Sequence, residues 1–75
     1  MDQFSETFLI QLRAAGGGFA IEAGNHQLNF LVQLAAAGRA KRPTLRIRGV
    51  RASGVPEQGL VQIAAAGEGT VFFED

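Results

Sequence analysis

Apolar and polar positions along this chain follow two alternating rhythms, and the pair recurs three times. The first is a helical one: LIQLRAAG at 9–16, LVQLAAAG at 31–38 and LVQIAAAG at 60–67 are one pattern written three times. Leucine, alanine and glutamine are good helix formers, and apolar residues at 9, 12 and 15, with 10 and 14 beside them, follow one helix face. The second rhythm follows each helix after a short glycine-containing break. FAIE at 19–22, LRIR at 45–48 and VFFE at 71–74 are short β-branched or aromatic runs that read as strands. The unit is helix, glycine, strand.

Local signals place the boundaries. Glycine just past the last periodic residue closes a helix by adopting the left-handed conformation, and Gly16, Gly38 and Gly67 stand there, predicting the same stop three times. At the first start Ser5 caps the free amides while Phe4 packs on Leu9 as a hydrophobic staple. Asn25 and the Pro56-Glu57 pair are the expected starts of the other two helices.

Helices between successive strands require parallel pairing through right-handed crossovers. The expected fold is therefore α/β: three tandem helix-turn-strand units with a three-stranded parallel sheet in order 1-2-3 and all helices on one face. The units cover about 5–23, 25–49 and 55–75 of a single domain spanning 1–75. The seven extra residues of the second unit fall in two loops, 39–43 and 50–55. A shuffled strand order with helices on both faces is the alternative, and it suits the alanine-rich helix sides. In the first arrangement Phe19, Ile21, Leu45, Ile47, Val71 and Phe73 point inward. The outer face carries Ala20, Arg46 and Phe72 in one row and Glu22, Arg48 and Glu74 in the next, a cation between two anions. Gly69-Thr70 also aligns with Gly18-Phe19, and that one-residue slip would exchange the two faces of the third strand.

Equivalent leucines lie 22 and 29 residues apart, within the range of leucine-rich-repeat-like units. With this unit and spacing, the chain resembles a short α/β solenoid of the leucine-rich-repeat kind, although its strands lack the leucine-leucine-asparagine signature. The resemblance implies an architecture and carries no family function.

A chain of 75 residues buries only about 60% of the surface it exposes when unfolded. Small scaffolds reach stability with disulfides, a metal or oligomerisation; here there is no cysteine and one histidine, His26, so oligomerisation is the expected route. The lack of cysteine fits a reducing compartment. Asp2 and Glu6 stand where a secretory signal would be basic, and no apolar run reaches membrane-spanning length. A cytoplasmic protein with no membrane partner is expected.

Charge is unevenly spread although the formal net charge is zero. Six of the seven basic residues, Arg39, Lys41, Arg42, Arg46, Arg48 and Arg51, fall within thirteen positions that hold no acid. As a functional feature this is a candidate polyanion patch; as a structural one it is a solvated loop and a strand face paired with Glu22 and Glu74. The structural reading is preferred, because no aromatic platform or nucleic-acid motif accompanies the cations.

Chemical motifs are lacking. Gly16-Gly17-Gly18 and Gly67-x-Gly69 follow helices and lead into strands, the reverse of a nucleotide-binding loop. His26 has no partner for a metal site and is expected to be a solvated surface histidine. Ser5 and Ser53 lie outside any nucleophile elbow. No catalytic residue, cofactor or metal is assigned, and the chain is not expected to be an enzyme. Gln11, Gln33 and Gln62 recur as an outer polar helix position.

The expected function is a protein–protein interaction or self-assembly module, a homo-oligomer that also admits a protein partner. Its candidate assembly surface is Ala14, Ala36 and Ala65 on the alanine-rich flanks of the helices and Phe72 on the open face of the sheet. Weak polyanion or nucleic-acid binding through the basic middle unit is the alternative.

Overall fold

The computed structural model describes residues 4–75. In chain order these form α1 (Glu6–Ala14), β1 (Phe19–Glu22), a 3-10 turn (Ala23–Asn25), α2 (Leu28–Ala37), β2 (Leu45–Arg48), α3 (Val50–Ser53), α4 (Glu57–Gly67) and β3 (Val71–Phe73). The three strands pair in parallel in the order β1-β2-β3. Phe19, Leu45 and Val71 lie side by side, followed by Ala20, Arg46 and Phe72. This is the unslipped register. Pairing continues past β3, where the Glu74 amide donates to the Ile47 carbonyl at 2.8 Å.

The core lies between the sheet and the helices. Leu9, Leu31, Leu34 and Ile63 meet Ile21, Leu45 and Ile47, all of them at most 1% exposed. Phe19, Val71 and Phe73 border this core, as expected of the inward rows, and Glu22, Arg46, Arg48 and Phe72 are exposed on the other side. The molecule is only 18 Å deep along its shortest axis, the depth of one sheet and one helix layer. α2 is the middle helix and packs against both α1 and α4.

Several local expectations need correction. The 50–55 segment is not a plain loop: it contains α3, which packs on the 3-10 turn. α2 begins at Leu28 after Gln27 rather than near Asn25, because 23–25 close a 3-10 turn around the buried Ala23. Ser5 caps α1 as expected, its hydroxyl accepting from the Phe8 amide at 3.2 Å, and α4 starts at Glu57 after Pro56. Phe4, however, stacks on Phe8 (ring centroids 4.9 Å apart), which leaves Leu9 free to face the core.

The three helix stops also differ. Gly16 takes the left-handed conformation at φ 105°, but Gly38 has φ −90°, and after Gly67 the left-handed residue is Glu68 at φ 50°. At two of the three positions glycine is needed for room. A Cβ on Gly38 would fall on the guanidinium of Arg13, and one on Gly67 would fall on the Val71 side chain.

Candidate functional site

The candidate assembly residues lie on the two faces of the molecule, the helix layer and the open side of the sheet. Ala14 and Ala65 are exposed and Ala36 half-buried in the helix layer, whereas Phe72, 55% exposed, stands on the bare face of the sheet. Gln11, Gln33 and Gln62 are all exposed in the helix layer. Among the described residues the other large exposed apolar side chains are Phe4 and Phe8 at the α1 end and Val61 on α4, the last 68% exposed. Sequence reading passed over Phe8 and Val61 because they sit in apolar runs that look like core.

The basic patch is divided between the two ends of β2. At its entry Arg39 pairs with the Glu68 carboxylate, and Arg42 donates to the Glu68 carbonyl at 2.6 Å. Along and beyond the strand, Glu74 receives Arg46 at 3.2 Å and Arg48 at 3.6 Å, and Arg51 meets Asp75 at 3.0 Å. Lys41 lies beside Gly16. The cations of the middle segment are thus opposed by the acids that follow α4 and β3. These exposed pairs contribute little stability each, but they lower the positive potential that a polyanion would meet.

Arg13, not assigned a role from the sequence, is fully buried. Its Nε donates to the Leu34 carbonyl and one Nη to that of Pro43, each at 2.7 Å. The other Nη reaches the Ala35 carbonyl at 3.4 Å and the Thr70 hydroxyl at 2.7 Å, and that hydroxyl donates in turn to the Gly67 carbonyl at 2.7 Å. Leu34 and Ala35 belong to the last turn of α2, whose free carbonyls carry the negative end of the helix dipole. Arg13 therefore satisfies the end of α2, the 39–44 turn and, through Thr70, the end of α4. One side chain from the first segment ties together the second and third. The signal in the sequence was a cation at a place where the other two copies have Ala35 and Ala64.

Burial pushes the Arg13 pKa down, since the guanidinium loses its hydration. A lowered pKa in a cation means that the folded chain holds the proton less tightly than the unfolded one. The resulting stability change appears only as pH rises towards that pKa, far above neutrality, because an arginine stays charged under ordinary conditions.

His26 is not a solvated histidine. Its side chain is 6% exposed, with Nδ1 3.3 Å from the Glu6 carboxylate and the ring 4.8 Å from that of Phe30. With Gln27 and Gly24 these residues line an open depression of about 440 Å³, and a second of about 400 Å³ lies over Phe19, Ala20 and Arg46. Among the described residues no three His, Cys, Asp or Glu side chains converge as metal ligands, and no helix is long and apolar enough to cross a membrane. No protein-family model, curated protein or solved structure matches the chain.

Proposed function

We propose that this protein is a small, repeat-built, solenoid-like interaction module that assembles with copies of itself, in the cytoplasm and without catalytic activity. The observation that carries this reading is the set of large apolar side chains left uncovered beside a small core: Phe8 at 41%, Phe72 at 55% and Val61 at 68% exposure. Apolar surface of this kind on a chain with so little interior is stabilised by burial against another molecule. The outer edges of β1 and β3 have no strand partner among the described residues, which adds backbone groups open to pairing. The polyanion reading is weaker, because Glu68, Glu74 and Asp75 stand on the arginines it needs.

The test is molar mass by light scattering over a hundredfold dilution. Self-assembly predicts a mass above that of one chain which falls on dilution, with a melting temperature that falls alongside it. A single-chain mass at every concentration, with an unchanged melting temperature, would refute the reading.

A further inference from the structure

Equivalent positions of the three copies are buried unequally, and the inequality has a direction. Leu9 and Leu31 are buried but Leu60 only partly; Ile10 and Val32 are half-buried but Val61 is exposed; Arg13 and Ala35 are buried but Ala64 is exposed. The three positions that lose cover on α4 are spaced i, i+1 and i+4, one stripe of a helix. At the other end the reverse holds. Phe8 is exposed where Phe30 and Gly59 are buried; Leu12 is half-buried where Leu34 and Ile63 are buried; Ala15 is exposed where Ala37 and Ala66 are half-buried. These lie at i, i+4 and i+7, a second stripe.

Inside the molecule the first stripe turns toward the next helix and the second toward the previous one. Arg13, on the stripe that Ala64 continues, reaches Leu34, Ala35 and the space left by Gly38. Gly59, on the stripe that Phe8 begins, abuts Leu28 of α2. The open stripe of α4 is thus equivalent to the surface that α1 and α2 offer to the next helix, and the open stripe of α1 to the surface that α2 and α4 offer to the previous one.

We infer that a second copy of this chain docks head-to-tail, the Leu60, Val61 and Ala64 stripe of one molecule on the Phe8, Leu12 and Ala15 stripe of the next. This rests on the self-assembly reading above and specifies its geometry. The contact is heterologous, so it repeats from copy to copy, into a ring where the rotation closes and an open array where it does not, rather than forming a symmetric pair. At the sheet level the same step sets β3 beside β1 of the neighbour. Continuing the internal register places Val71 by Phe19 and Glu74 by Glu22 of the next copy. Two carboxylates then face each other and weaken the contact, so added salt strengthens it by screening.

The test uses two variants that each block one end. Phe8→Arg places a charge on the α1 stripe and Val61→Arg on the α4 stripe, both at exposed positions, and thermal melts check that each variant folds. Head-to-tail docking predicts that each variant alone has the mass of one chain at a concentration where the unaltered protein is larger. Their equimolar mixture then gives the mass of two chains and nothing larger. A variant that assembles alone as the unaltered chain does, or a mixture that stays at one chain, overturns head-to-tail docking while self-assembly of the unaltered chain stands. An unaltered chain that is monomeric throughout overturns both.

Discussion

Arg13 and Gly38 are one device built from two residues. The guanidinium occupies the space that a Cβ on Gly38 would take, and from there it donates to the carbonyls of Leu34, Ala35 and Pro43. Arg13→Met keeps an unbranched stem as far as the place of Nε and removes the donors, leaving buried carbonyls at a cost of about 1–3 kcal/mol each. A loss on the order of 4 kcal/mol is expected, read from the urea midpoint. Gly38→Ala should also destabilise strongly, because its methyl group expels the guanidinium. In an Arg13→Met background the same change meets no guanidinium and should cost far less. Additive losses would mean that Gly38 serves some purpose other than room for Arg13. The glycine was visible in the sequence as a helix stop, but its reason was not: room for a side chain 25 positions earlier belongs to packing, which no local pattern encodes.

The strands were the most legible elements, since period-two runs with one apolar face tolerate only one register once that face is buried. The row Glu22, Arg48 and Glu74 follows from it, with Glu22 opposite Arg48 and Glu74 next in line. Arg48→Glu sets like charges side by side and should destabilise by about 1 kcal/mol. Adding Glu22→Lys should recover most of that by restoring an opposite pair, as measured by thermal melts. An absence of recovery would show that Glu22 and Arg48 do not interact across the strands. Helix ends were less legible. Asn25 looked like a cap, yet the buried Ala23 draws 23–25 into a 3-10 turn, and Leu28 becomes the first residue of α2. α3 is one short turn with no apolar period of its own, held by its contact with that 3-10 turn.

At the scale of the molecule, charge and cover explain different things. The positive run in the sequence becomes a set of cross-segment pairs with Glu68, Glu74 and Asp75, so the charge asymmetry along the chain becomes attachment between neighbouring segments. The face of each candidate assembly residue was more legible than its cover. The helical and period-two patterns put Ala36 in the helix layer and Phe72 on the open side of the sheet, where they lie, but they did not encode that Ala36 is half-covered. What separates a covered position from an open one is its place first or last in the helix row, as Phe30 and Phe8 illustrate at 6% and 41% exposure. The most direct test is nuclear magnetic resonance of the side chains over a concentration series. Head-to-tail docking predicts that Phe8, Leu12, Leu60, Val61 and Ala64 shift together as concentration rises, while Leu31 and Leu34 inside α2 stay fixed. Shifts on one stripe alone, or none on either, would contradict it.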